Sequence, residues 1–304
     1  VLALFAYQAS QEQAAMCDEF TLSADETALA AKPVNRREFA VLGAVAALVG
    51  CAGASKSSGS LLTEETVHVP TPNGFADGFF VYPGKGTHPG VVMWPDIGGL
   101  RDAFKAMART LAASGYAVLA VNQYYRSAPA PILTSFAEWR TPAGQAKIGP
   151  MIAAITNDGI MRDATAFIAF LDAQKVVDKH RKIGSNGYCM SGPFAIRTAA
   201  AVPGRVGAAA SFHGANLVTN SPDSPHLLLA RAQSSFLFAI ARNDDTRAPG
   251  DKDTLRGAAQ AAGKTAEVVV YPADHGWSVP DSPVYNKQQA DLAMKQLQGL
   301  FAAL

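Results

Sequence analysis

The chain has 304 residues, of which 49% are hydrophobic and 17% charged, and its formal net charge is +1. This fits one ordinary globular domain of roughly 250 residues with a full core, plus an extension. A near-neutral balance without a basic cluster argues against a nucleic-acid partner, and no internal repeat or long low-complexity tract points to a repeat architecture.

The N-terminal stretch differs in character from the rest. Asn35-Arg36-Arg37-Glu38-Phe39 precedes an apolar run from Ala40 to Gly50. Paired arginines before a short, weakly hydrophobic run resemble a twin-arginine export signal, which implies an exported protein, periplasmic or lipid-anchored. The run is too short to span a bilayer, which takes about 20 residues. Leu48-Val49-Gly50-Cys51 resembles a bacterial lipobox, which would make Cys51 a lipid anchor and the only membrane contact; Ala52-Gly53-Ala54 offers simple cleavage instead. A buried N-terminal helix is the plain structural alternative. The expected organisation is an extension and signal region over 1–54, a flexible Ser-rich tether over 55–65 and a catalytic domain over 66–304. Residues 1–15, which precede Met16, are set aside from the fold reasoning.

Along the body, strand and helix patterns alternate. Thr66–Val69 and Gly78–Tyr82 read as an antiparallel entry hairpin, and Gly90–Trp94 as an apolar strand followed by a helix from about Asp102 to Ser114. Tyr116–Val121 is the next strand, and 143–174 is mostly helical, with Ile168 and Leu171 on its apolar face. Arg181–Asn186 reads as a short strand approach and Pro193–Ala201 as a helix. Strands follow at Val206–Phe212, Phe236–Ala241 and Ala266–Tyr271, then a C-terminal helix from about Asn286. Continuous apolar strands alternating with helices predict an α/β fold with a mostly parallel sheet covered on both faces. In such sheets ligands gather beyond the carboxyl ends of the strands, which is where the polar residues of this chain fall.

The most informative stretch is Gly187-Tyr188-Cys189-Met190-Ser191-Gly192, between the strand approach and the helix. A reactive residue flanked by small residues at a sharp strand-to-helix turn is a nucleophile elbow, here with Cys in place of Ser. A helix N-terminus also favours thiolate, the nucleophilic form. Of the three cysteines, Cys17 and Cys51 lie in or at the signal region, so Cys189 is the only thiol of the body and has no disulfide partner there. The alternative is a structural Cys beside a glycine-rich turn.

Gly-Tyr-Cys-x-x-Gly after a strand resembles the dienelactone hydrolase (carboxymethylenebutenolidase) family of the α/β-hydrolase superfamily, and the likeness runs from about Val67 to the C-terminus. It implies the α/β-hydrolase fold and Cys189 as nucleophile, with Ser191 standing where the family has Gly. The fold's chain order is nucleophile, acid, base. His275, after the last strand in Asp274-His275-Gly276-Trp277, is the expected base. His68, His88, His180 and His226 are expected to be solvated in turns or the hairpin, whereas His213 and Trp277 are candidates to line the substrate pocket. The acid lies in Arg242-Asn243-Asp244-Asp245-Thr246-Arg247-Ala248-Pro249, expected to be a loop. The family's Asp four residues before a Pro selects Asp245, with Asp244 as runner-up.

The resemblance also implies an oxyanion hole from the backbone N–H groups of Met190 and Ile97. Asp96 stands where the family has a Glu that interacts with the thiol, and Arg126 where the family has a carboxylate-binding Arg. The family's second such Arg is replaced by Val279. Free carboxylates are therefore expected to be poor substrates, and Val279→Arg is expected to shift preference back towards them. The implied activity is cleavage of a lactone or small carboxylic ester through an acyl-Cys189 intermediate, with a small-molecule substrate and no metal or organic cofactor. A broad-specificity carboxylesterase and a non-catalytic binding protein on the same fold are the alternatives.

Overall fold

The structure, a computed structural model, describes residues 61–304. The signal-like segment with Arg36, Arg37 and Cys51 lies outside the described residues. Among those described, β1 (Leu62–Thr71) and β2 (Gly74–Pro83) form an antiparallel hairpin. Both strands are longer than the sequence pattern suggests. The reason is that β1 lies at the sheet edge and needs no apolar run to pair, so residues 62–65 belong to β1 and not to a tether. Gly74 closes the turn at a φ of +119°, which an L side chain rarely adopts.

The parallel body follows in chain order. It comprises β3 (Gly90–Trp94), α1 (Asp102–Ala113), β4 (Ala117–Val121), α2 (Phe136–Trp139), α3 (Pro142–Ala153) and α4 (Asn157–Ala173). Next come β5 (Ile183–Tyr188), a single 3-10 turn at Cys189–Ser191, α5 (Gly192–Ala201), β6 (Val206–Phe212), α6 (Pro225–Leu228) and β7 (Ser235–Ala241). The chain finishes with α7 (Arg242–Arg247), α8 (Asp251–Ala261), β8 (Ala266–Tyr271) and α9 (Lys287–Phe301). The region read as one helical stretch is two helices. Thr156 starts α4 by accepting a hydrogen bond from Gly159 N at 3.0 Å, and Asn286 does the same for α9 from Gln289 N at 3.1 Å.

The eight strands lie in the order β1-β2-β4-β3-β5-β6-β7-β8, antiparallel only where β2 pairs with β1 and β4. The central strands β3, β4 and β5 are buried along their whole length because their alternate residues face two separate cores. Val92 and Trp94 of β3 face one layer with α3, α4, α5 and α8; Val91 and Met93 face the other with α1 and α9. The connection from β3 runs outward to β4 and then returns past β3 to β5, so the order switches direction between β3 and β5. Trp94 pairs in register with Gly187 at that point. The loop after β3 and the elbow after β5 therefore emerge side by side, the position where such sheets hold their ligands.

Candidate active site

Cys189 sits at the end of β5 with a φ of +54°, a left-handed conformation that costs a non-glycine residue on the order of 1–3 kcal/mol. The local sequence permits it by removing side chains from the turn. A Cβ at Gly187 would lie 2.0 Å from the Ser191 carbonyl oxygen, and one at Gly192 would lie 2.6 Å from the Gly214 Cα. The backbone oxygen of Cys189 accepts from Ala215 N at 3.1 Å, which ties the elbow to the loop after β6. Ser191 is wholly buried and follows the turn into α5.

His275 is brought over the elbow by the turn after β8. Its backbone N–H donates to Asn243 Oδ1 at 2.9 Å, and Arg242 N donates to Ala273 O at 3.0 Å, so the turn is docked onto the start of α7. His275 Nδ1 lies 2.8 Å from Asp244 Oδ2. The candidate acid is thus Asp244, not Asp245. The segment folds as helix α7 instead of the expected loop, so the two neighbours diverge, and Asp245 pairs with Lys252 at 2.8 Å. Asn243, which holds the His275 backbone, carried no signal of its own in the sequence.

Burial disfavours a charged imidazole at His275. The Asp244 charge and then the Cys189 charge outweigh this, aided by hydrogen bonds that the imidazole donates to both, and its pKa lies well above the ordinary histidine range. His275 therefore lies between the Asp244 carboxylate and the Cys189 sulfur, and both favour its charged form. His213 is the opposite case. Burial, with the His275 charge added, holds its pKa well below the ordinary value, so its ring is neutral.

Across the elbow, the loop after β3 is fixed at many points. The Tyr124 hydroxyl donates to Ile97 O at 2.8 Å, and Gln123 Nε2 donates to Asp96 O at 2.7 Å. The Asp96 carboxylate is turned to Arg101 and Gly98 and not to the Cys189 sulfur. Its two carboxylate oxygens accept from Arg101 at 2.6 and 3.0 Å, and Oδ1 also accepts from Gly98 N at 2.9 Å. Burial of the pair explains the commitment, since a dry carboxylate needs a charged partner. Arg101 reaches on to Asp281, and this buried bridge was not legible from spacing in the sequence.

The sequence profile described as "Dienelactone hydrolase family" matches residues 76–304. The chain belongs to the dienelactone hydrolase family. A Methylorubrum extorquens protein named "Putative carboxymethylenebutenolidase" is 27% identical over 241 residues, which is 77% of this chain and 79% of that protein. Two crystal structures share the fold at 22% identity. One is of a Klebsiella pneumoniae protein described as a "Putative Dienelactone Hydrolase", with a TM-score of 0.69 over 80% of this chain and 100% of that one. The other is a dienelactone-hydrolase-like promiscuous phosphotriesterase from metagenomic libraries, with a TM-score of 0.62 over 79% of this chain and 98% of that one. The protein is thus a hydrolase with the α/β-hydrolase fold.

The remaining residues expected in the substrate pocket of a dienelactone hydrolase are placed differently here. Arg126 is spoken for: Nη1 and Nη2 donate to the two Asp163 oxygens at 2.8 Å each, and Nη2 also donates to Asn73 Oδ1 at 2.9 Å. This guanidinium neutralises the buried Asp163, a pairing that no local spacing in the sequence marks. Val279 lies in the core at 1% exposure. Trp277 is fully buried, stacked on Tyr271 with 4.8 Å between ring centroids, so it packs and does not line an open pocket. His213 is also buried. Its ring edge meets His275 at 4.8 Å between centroids and its Nε2 lies 3.1 Å from Ser278 Oγ, so it walls the base instead of facing solvent. Of the histidines expected to be solvated, His68 and His180 are exposed, whereas His88 and His226 are partly buried and hydrogen-bonded. Among the described residues no group of His, Cys, Asp and Glu is arranged to hold a metal.

Proposed function

We propose that the protein cleaves a lactone or small carboxylic ester through an acyl-Cys189 intermediate. The observation that carries this reading is the place of His275 between Cys189 and Asp244 at the elbow. The thiolate attacks the ester carbonyl carbon, a C–S bond forms and the carbonyl electron pair moves to oxygen. The resulting oxyanion is met by the backbone N–H groups of Met190 and Ile97, which act in the transition state more than in the ground state. Collapse breaks the C–O bond, and the leaving alkoxide takes the proton of the His275 imidazolium. Water then gives a proton back to His275 as it attacks the thioester carbon; the C–S bond breaks, releasing the acid and restoring the thiolate. Asp244 keeps Nδ1 protonated and stabilises the imidazolium.

The reading extends to export by a twin-arginine route, supported by Arg36-Arg37 before the apolar run, with lipidation at Cys51 or cleavage near Ala54. The deciding experiment for the chemistry is turnover of a panel of lactones and p-nitrophenyl esters with and without iodoacetamide, alongside Cys189→Ala. Alkylation and the Ala variant are both expected to abolish hydrolysis. Near-normal turnover by Cys189→Ala would overturn the acyl-cysteine mechanism.

A further inference from the structure

We propose that Arg101 is a positioning residue for hydrolysis. Its guanidinium joins the loop that carries Ile97 to the loop that follows His275, and so keeps the oxyanion donor and the base at one spacing. The inference rests on the acyl-cysteine reading above.

The Arg101 side chain is wholly buried, and its planar fork is used on both sides. Nη1 and Nη2 donate to Asp96, on the Ile97 loop, at 2.6 and 3.0 Å. Nε and Nη2 donate to Asp281, on the loop after His275, at 2.7 Å each. A third contact, Nη1 to Gly99 O at 3.2 Å, falls on the Ile97 loop again. Asp281 Oδ2 also accepts from Phe136 N at 3.0 Å, which adds the start of α2 to the same junction. The Ile97 peptide is thereby held from both directions. Tyr124 takes its carbonyl, and the neighbouring Asp96 and Gly98 are fixed through the carboxylate that Arg101 grips.

Stability alone does not account for this arrangement. Replacing a buried ion network by apolar side chains of similar volume is often neutral or stabilising. What a guanidinium supplies and an apolar side chain does not is direction: its donors lie in one plane at fixed angles and match a carboxylate on each side. An oxyanion hole needs such placement, because its donors must meet the oxygen of the tetrahedral species at hydrogen-bond distance. Lysine would keep the charge but not the two-sided fork. It would leave the two loops joined less rigidly without touching Cys189.

The test compares Arg101→Lys and Asp281→Asn with wild type, on full-length protein shown to be folded at the assay temperature by near-ultraviolet circular dichroism. Three quantities are read with a p-nitrophenyl ester: kcat, KM, and the rate of Cys189 alkylation by iodoacetamide, a reaction that uses the thiolate but no oxyanion donor. For Arg101→Lys, kcat is expected to fall about 10- to 100-fold, somewhat less than complete removal of an oxyanion donor, with KM and the alkylation rate within about twofold. Asp281→Asn, which leaves the grip on Asp96, is expected to shift kcat in the same direction by a smaller factor. If Arg101→Lys does not fold, the Asp281→Asn measurement decides alone. A kcat within twofold of wild type in the folded variants overturns the proposal, and so does an alkylation rate that falls in step with kcat. Failure of the acyl-cysteine reading itself is distinguished by wild-type turnover that survives complete alkylation.

Discussion

Asp244 Oδ2 lies 2.8 Å from His275 Nδ1, while its chain neighbour Asp245 turns away to Lys252. Successive residues of a helix point about 100° apart, so only one of two adjacent carboxylates on α7 can meet the imidazole. Asp244→Asn is expected to lower kcat by up to about 10⁴-fold, the loss found when the acid of a Ser-His-Asp triad becomes its amide. Asp245→Asn is expected to leave kcat within about threefold and to cost at most about 1 kcal/mol, since its pair with Lys252 is partly exposed. Steady-state kinetics on both variants decide between them, and equal losses would remove the distinction.

The raised pKa of His275 has a consequence for stability. An unfolded histidine titrates near 6.5, and the folded one does so well above its ordinary value because the Asp244 and Cys189 charges outweigh burial. The folded state therefore binds the proton more tightly, and this contribution is fully present below about pH 6.5 and is lost as pH rises through the folded value. Cys189→Ala would remove one of the two charges that raise the value, so the comparison is made on the wild-type protein. The stability gap between wild type and its His275→Gln derivative is expected to be largest at and below about pH 6.5 and to shrink in alkali. Urea unfolding across the pH range measures it; a gap that widened with rising pH would mean His275 is neutral in the folded state.

Much of the fold was legible because β3, β4 and β7 are near-continuous apolar runs whose ends the sequence marks, whereas β5, with Ser185 and Asn186, shows only through the elbow that follows it. The elbow was legible because Gly187 and Gly192 have no room for a Cβ, a constraint visible as small residues around Cys189. What stayed hidden depends on direction. The choice of Asp244 over Asp245 turns on whether residues 242–247 are loop or helix, and a short polar helix carries almost no periodic signal. The bridge from Asp96 through Arg101 to Asp281 joins positions far apart in the chain, and nothing local to Arg101 separates it from an ordinary helix-start arginine. The same holds for Arg126, whose partner Asp163 lies on α4.

Tight packing at the elbow makes Gly187 the most sensitive glycine of the site. A Cβ there would stand 2.0 Å from backbone, so Gly187→Ala must move the turn itself. The expected cost exceeds about 3 kcal/mol, the upper end for overpacking relieved by side-chain shifts, or about 6 °C or more in Tm for a domain of this size. Gly257, exposed on α8 with open space around it, is the control. Gly257→Ala is expected to stabilise by about 0.5–1 kcal/mol. Calorimetry on the two variants checks the contrast, which fails if Gly187→Ala melts with wild type.

Export is tested in cells. Replacing Arg36 and Arg37 with Lys is expected to leave the precursor in the cytoplasm, because the twin-arginine route reads the paired guanidinium groups. Cys51→Ala is expected to release a soluble exported form if Cys51 carries lipid. Unchanged membrane association of the Cys51→Ala form would reject lipidation at that residue.

Substrate preference turns on the two positions where the resemblance implies a carboxylate-binding arginine. A desolvated carboxylate calls for a charge-assisted partner, and of the two arginine positions expected by resemblance neither offers a free cation. Arg126 is held bidentately by Asp163, and Val279 is a core residue. Losing a hydrogen bond to a charged group costs about 1.5–3 kcal/mol, or roughly one to two orders of magnitude in affinity. The wild-type protein is therefore expected to show kcat/KM for a carboxylated lactone no better than for its methyl ester. Arg126→Ala is expected to leave that ratio within about twofold while lowering stability by about 1.5–3 kcal/mol, because Asp163 stays buried without its partner. Val279→Arg, which simple restoration of the missing arginine would suggest, is expected to unfold the turn before it helps the acid, since position 279 packs among apolar side chains. A strong wild-type preference for the free acid that vanished in Arg126→Ala would mean that Arg126 leaves Asp163 when substrate binds. The same preference untouched by Arg126→Ala would put the carboxylate on another residue.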